Sequence, residues 1–395
     1  MNYLKKYKVL GVLIFAESIE RFAYYFVSFL IPAYMMSNSE NGGLGLTQNF
    51  STLTSSYFSF GILLFPLILA PVIDRYFGHL KSALYGGVFL ILGYFTAFIS
   101  EFFFNYMIVL GLILLMLGTS LVKPAFSVLV GKYAGTSYKL QEFSYVLYII
   151  FVSISSILSA YLSAKFLNEL LQFKPLFLFS CILMSCYTFI LAFVYRKEKN
   201  VKVNYCSGFK FKQSNSIMIQ SLLFCLLIGV SVSLSGRIFT YPNQISFWLI
   251  SFLCVFILLI LFVAKIKLIS KLKYYFIVIF SILIFYVLNN LFLRELGTIS
   301  PSIPSVFSGF DMLNNFLIFP FCLAFILRYS PPKALATMQA LAFFLFSLST
   351  LLVKNFLAQY TFAPSTQLIF LALLTLGIFL SFLKLINSVA KHSYS

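Results

Sequence analysis

Phe15-Ala16-Glu17-Ser18-Ile19-Glu20-Arg21-Phe22-Ala23-Tyr24-Tyr25 places three charged residues inside the first long apolar segment of the chain. A charge at bilayer depth costs from about 3 to more than about 10 kcal/mol. The chain is 61% hydrophobic and 10% charged, so these positions stand out against its own composition. Glu17 and Arg21 are four apart and share a helix face, with Glu20 beside Arg21. That face must meet protein or water rather than lipid, and it is the first candidate for function.

The composition outside this stretch excludes an ordinary soluble domain: 50 of 395 residues are Phe and the mean hydropathy is +0.98. Apolar segments at 8–34, 51–73, 81–98, 104–130, 140–164, 173–195, 216–235, 242–264, 274–293, 304–327, 334–353 and 366–388 each approach the length of a spanning helix. Lys5, Lys6 and Lys8 precede the first of them as in a secretory signal. The embedded charges and the lack of a small-residue cleavage site favour a spanning helix instead.

The net charge of +18 is spread over alternating short loops. One set carries Lys5 to Lys8, Arg75, Lys81, Lys132, Lys139, the run from Arg196 to Lys212, Lys265 to Lys273, Arg328, Lys333, Lys384 and Lys391. The other carries only Lys165, Lys174, Arg237, Arg294 and Lys354. This asymmetry puts both termini in the cytoplasm and requires an even helix count; it does not describe a nucleic-acid surface. The expectation is an all-α integral membrane protein of about twelve transmembrane helices in two six-helix bundles. Residues 1–195 and 216–395 form the bundles, joined by a basic cytoplasmic linker at 196–215. Such a plan places a substrate site near the bilayer midplane. The expected partners are the lipid bilayer and a small substrate, with the chain a monomer.

Enzymatic chemistry has no footing. Only two histidines occur, His79 and His392, with no Ser/His/Asp set, no His-Glu-x-x-His and no phosphate-binding Gly-rich loop. Five of the six cysteines (Cys181, Cys186, Cys225, Cys254, Cys322) lie in apolar segments and Cys206 in a basic loop, none with metal-ligand spacing. No metal and no cofactor are expected, and energy must come from a gradient.

Lys123, in Gly118-Thr119-Ser120-Leu121-Val122-Lys123-Pro124-Ala125, is a fourth embedded charge. Glu17 or Glu20 is its economical partner, giving a neutral group of two acids and two bases. Such a group can bind and release a proton as a cation swings away to hold a substrate carboxylate; it can equally be a static lock between helices. Pro124 can kink or hinge its helix. Tyr24 and Tyr25 lie one turn beyond the charges and either line a cavity or pack. Asp74-Arg75-Tyr76-Phe77-Gly78-His79-Leu80-Lys81 joins the second and third helices and suits a gate latch that caps helix ends. The second half offers Asp311, amides at Asn289, Asn290, Asn314 and Asn315, and serines at Ser231, Ser233 and Ser235 that read as packing.

These segments resemble the proton-dependent oligopeptide transporters of the major facilitator superfamily. Glu17 to Tyr25 matches that family's E-x-x-E-R-F-x-Y-Y signature. Asp74-Arg75 with Gly78 is similar to its second loop, and Gly118 to Pro124 with Gly131 is similar to its G-T-G-x-x-K-P-N stretch. Ser330-Pro331-Pro332-Lys333 with Met338 is a weaker match to the loop before the eleventh helix. The resemblance implies a major facilitator fold and proton-coupled symport of di- and tripeptides, the proton being the coupling ion. It implies proton coupling by Glu17, Glu20 and Arg21, with Lys123 shared between them and the peptide's carboxyl end. Tyr24 and Tyr25 would line the pocket. The chain also departs from the pattern. The family's carboxylate-binding arginine falls on Ser28, the asparagine after Lys-Pro is Ala125, and the asparagine of helix five falls near Val152. The glutamate that receives the peptide's amino end falls near Asn315. A carrier of another small carboxylate or an amino acid therefore stays open, as does a non-transporting sensor that keeps the fold.

Overall fold

A computed structural model describes residues 3–28, 30–38, 42–103, 106–135, 138–170 and 173–198, most of 218–230, and 319–359 apart from 321. Every element among the described residues is helical. The long helices are α1 (Tyr3–Ser28), α3 (Gln48–Val72), α4 (His79–Phe103), α5 (Met107–Ala134), α6 (Tyr138–Leu170), α7 (Lys174–Glu198) and α8 (Leu335–Gln359), with a short α2 (Ile31–Met36) after α1. Four stretches, Gln48–Phe77, His79–Ser100, Met107–Ala134 and Pro175–Lys197, are long and apolar enough to cross a membrane. α1 is as long, at 26 residues, but it carries the embedded charges. The predicted spans 242–264, 274–293 and 366–388 lie outside the described residues, as do most of 304–327 and the end of 216–235.

The first predicted span, 8–34, is two helices rather than one. α1 ends at Ser28, and α2 starts one residue after the Leu30 cap with a proline in its first turn. Pro32 has no N–H to extend the α1 ladder, and in a continuous helix its ring would clash with the carbonyl four residues before it, that of Ser28, where α1 ends. α2 is then tied down by Tyr34, a fully buried side chain whose hydroxyl contacts Ser100 Oγ at 3.0 Å and the Ala97 carbonyl at 3.3 Å on α4. Pro124, by contrast, sits inside an unbroken α5.

The chain divides into two compact units. The first joins Met1–Gly208 with Ser330–Phe344, and the second joins Phe209–Tyr329 with Leu345–Ser395. Within the first unit α1 lies against α5, α6 and α7, while α4 packs on α5 and α7, and α3 on α5. The interior is aromatic and aliphatic: Phe26, Phe126, Tyr145, Phe177 and Tyr187 are fully buried. The outside is equally apolar, with Phe189 75% and Phe193 62% exposed on α7. Water would not tolerate such a surface, whereas acyl chains solvate it.

The α4–α5 crossing is close because glycines face each other. A Cβ on Gly86 would lie 2.8 Å from the Gly118 carbonyl oxygen and 2.7 Å from Val122 Cγ2. Small residues let transmembrane backbones approach this way. Gly86→Val is expected to overpack the seam and destabilise the protein by about 1–3 kcal/mol, seen as a lower melting temperature in detergent.

Candidate functional site

α1 brings three charges into the interior of the first unit. Glu17, Glu20 and Arg21 are 0%, 1% and 5% exposed. Arg21 Nε lies 3.2 Å from Glu17 Oε1 and 2.5 Å from Glu20 Oε2. The i, i+4 spacing supplies the first contact and sequence adjacency the second. The trio carries one net negative formal charge, and its remaining polar atoms are buried: Glu17 Oε2, Glu20 Oε1 and Arg21 Nη2 have no partner among the described residues. Buried ions are retained only when paired, since desolvation costs several kcal/mol per ion.

Lys123 sits half-buried on α5. It is near enough to Glu20 to interact with it electrostatically, but no ion pair within 4.0 Å joins it to Glu17 or Glu20 among the described residues. Its Nζ lies instead 4.7 Å from the centre of the Phe343 ring on α8. Arg21 already takes both carboxylates, so the expected Lys123–glutamate bridge is replaced by a cation–π contact that leaves the ammonium's hydrogen-bonding capacity available.

The aromatic residues that close the signature fall where the helix period puts them. The Arg21 guanidinium lies 5.7 Å from the Tyr24 ring centre, and Tyr24 meets Tyr25 edge-on at 5.1 Å. Ser28, two turns beyond Arg21, is half-buried at the end of α1. Tyr148 is a member that sequence reasoning missed: from α6 its hydroxyl donates to Glu17 Oε1 at 3.3 Å. In a chain with 25 tyrosines no pattern singles it out. Asn315 and Asp311 lie outside the described residues.

A second polar cluster closes the other end of α3. Its last residues unwind into a π-helical turn, Ile73–Phe77, ended by Gly78 at φ 72°, a backbone region that favours glycine. The turn aims Asp74 at the start of α8. The carboxylate accepts the Ala336 and Thr337 N–H groups at 2.9 Å each and the Thr337 hydroxyl at 2.8 Å. Helix N-termini leave such donors unpaired and favour an anion. His79 Nε2 approaches Asp74 Oδ1 at 3.3 Å, and Lys132 Nζ contacts His79 Nδ1 at 2.6 Å. An acceptor Nδ1 fixes the tautomer that carries its proton on Nε2, facing the carboxylate. Arg75 is exposed; His79 and Lys132 support the acid in its place.

Two side chains in the first turns of α8 then meet α5. Ser127 Oγ donates to Gln339 Oε1 at 2.9 Å, and Tyr145 donates to the Ser127 carbonyl at 2.8 Å. Ala336, Gln339 and Phe343 stand three and four apart, so one stripe of α8 meets Asp74, Ser127 and Lys123 in turn.

The sequence profile of the Major Facilitator Superfamily matches residues 13–353. The chain belongs to this superfamily. The resemblance read from the α1 signature has counterparts among curated proteins. Peptide transporter YePEPT of Yersinia enterocolitica subsp. palearctica serotype O:3 (strain YE-P4) is 30% identical over 122 residues, 31% of this chain and 24% of that protein. The uncharacterized transporter YclF of Bacillus subtilis (strain 168) is 30% identical over 123 residues, again 31% and 24%. These matches span about a quarter of each relative. A solved POT family transporter in complex with 5-aminolevulinic acid shares the fold with TM-score 0.60 at 16% identity, covering 96% of both chains. A bacterial homologue of the iron transporter ferroportin does so with TM-score 0.66 at 13% identity, covering 96% of this chain and 99% of that one. The chain is thus a member of the Major Facilitator Superfamily, and the curated proteins it resembles over about a third of its length are named as transporters.

Proposed function

We propose that the protein is a proton-coupled symporter of di- and tripeptides working by alternating access in a bacterial inner membrane, with both termini cytoplasmic. The observation that carries this reading is the buried Glu17–Glu20–Arg21 cluster beside a lysine whose ammonium rests on an aromatic ring. The carboxyl groups would take the proton; Lys123 would hold the substrate carboxylate; Tyr24 and Tyr25 would flank it. When Lys123 turns to a substrate, its field at Glu20 weakens and that glutamate becomes easier to protonate. Coupling of proton to substrate follows without any cofactor.

A second reading, another small carboxylate, is favoured by Lys123 having no carboxylate partner among the described residues and by the uncharged Asn315 where an acid would hold a peptide's amino end. A POT family transporter of like fold was crystallised in complex with 5-aminolevulinic acid, which supports this reading. Proton influx into proteoliposomes after adding dipeptides or free amino acids separates the readings. Influx with dipeptides supports the first, and influx only with single amino acids supports the second. None with either would favour a sensor.

Asp74 would act as a gate, since its carboxylate holds the N-terminus of α8 in the form described. Asp74→Asn keeps the shape but removes the charge that the helix end favours, and it loses about 1–2 kcal/mol of capping. The expected result is about tenfold faster labelling of a cysteine placed at Thr337 by a membrane-impermeant thiol reagent from the cytoplasmic side.

A further inference from the structure

Tyr187 lies on α7 with its side chain fully buried. Its ring packs 6.3 Å from Phe126, a contact phenylalanine would make equally well. The hydroxyl is what needs explaining. It has no hydrogen-bond partner among the described residues, and buried hydroxyls are rarely left so. Two turns earlier on the same face of α7, Ser180 donates to the Ala23 carbonyl of α1 at 3.3 Å, which sets this face against the helix that carries Glu17, Glu20 and Arg21. The side chains of that helix present the other orphaned atoms of this neighbourhood, namely Glu17 Oε2, Glu20 Oε1 and Arg21 Nη2. A single orphan is a local defect; four around one ion cluster make a polar site. Buried water typically joins two to four such groups. The atoms present suit it: Tyr187 and Arg21 donate, and the carboxylates accept.

We infer that Tyr187 is a positioning residue of the acidic cluster, its hydroxyl linked through buried water to the free oxygens of Glu17 and Glu20. Tyr148 then steadies Glu17 from α6 by a direct bond, and Tyr187 steadies both acids from α7 through solvent. A proton arriving on either glutamate would alter hydrogen bonds on three helices at once. The inference deepens the proposed proton-coupling role and rests on it only for the transport readout below.

The test is a double-mutant cycle on purified full-length protein, read as melting temperature without substrate. Tyr187→Phe is expected to lower the melting temperature by about 2 °C. The loss is expected to vanish when Glu17→Gln and Glu20→Gln are present, or with Glu17→Gln alone if the triple variant does not fold. An unchanged or raised melting temperature would overturn the inference, because deleting an isolated orphaned hydroxyl removes a cost. An equal loss in both backgrounds would overturn it too, since packing alone gives that result. In vesicles, Tyr187→Phe is expected to move the external pH of half-maximal uptake. Tyr34→Phe, whose hydroxyl bonds Ser100 on α4, should leave that pH in place. Absence of any uptake would sink the transport reading and leave the melting cycle to decide the role of Tyr187.

Discussion

Arg21→Met is expected to cost about 3–5 kcal/mol of stability, the range for removing one member of a buried ion cluster. Arg21 contacts both carboxylates and is itself 5% exposed. Without it Glu17 and Glu20 stay in an apolar interior facing each other's charge, with Lys123 more than 4 Å from both. Protonation is the cheapest relief, so the deficit should shrink as the pH falls and the acids neutralise. Glu17→Gln with Glu20→Gln should restore part of the lost stability for the same reason. Melting temperature at two pH values, together with the fraction eluting as a single species, measures each effect. A variant as stable as the parent would show that the arginine does not hold the cluster.

Lys123→Ala is expected to have the reverse profile: a small change in stability and a large one in transport. Its ammonium makes no ion pair among the described residues, so removing it strands no buried carboxylate partner. If it is the group that takes the substrate carboxylate, its loss forfeits about 2–5 kcal/mol of substrate binding, at least about thirtyfold in affinity. Gradient-driven accumulation should collapse while the protein still inserts and melts near the parent temperature. Lys123→Arg keeps the charge but changes its shape, and should recover only part of the activity. Accumulation at the parent level in Lys123→Ala would remove this residue from the site.

The contrast between these variants shows what the sequence made legible. Charges within an apolar run declare themselves because the cost of burying them has to be met by something, and the i, i+4 spacing of Glu17 and Arg21 already implies their pairing. Asp74 was legible as a helix-capping acid from its place beside a glycine turn. Partner choice was not legible. Lys123 looked bound to a glutamate, yet Arg21 claims both acids and the lysine turns to Phe343, 220 positions along the chain. Arg75 was grouped with Asp74 in the loop, but it is exposed, and the base beside Asp74 is His79, itself met by Lys132. Tyr148 and Tyr187 were hidden for a different reason. A tyrosine in an apolar helix has the same period and hydropathy whether its hydroxyl meets a carboxylate or nothing. The α1–α2 break at Pro32 could be read locally, but the hydrophobic run across it masks the proline.

The stripe of α8 through Ala336, Gln339 and Phe343 ties the two polar clusters into one account. The residue that meets the helix cap and the residue that meets Lys123 are separated by about two turns of the same helix, roughly 10 Å. A substrate that draws Lys123 from the Phe343 ring would act on the helix whose first turn Asp74 holds. Under the proposed function, this would be a physical route from substrate binding to release of the Asp74 contact.

The most direct test is uptake by purified protein in liposomes under an imposed inward proton gradient, with dipeptides and free amino acids supplied side by side. The account predicts accumulation of a dipeptide above its outside concentration, abolished by a protonophore. Uptake that only equilibrates and ignores the protonophore, or no uptake of any of them by folded protein, would contradict proton-coupled peptide symport.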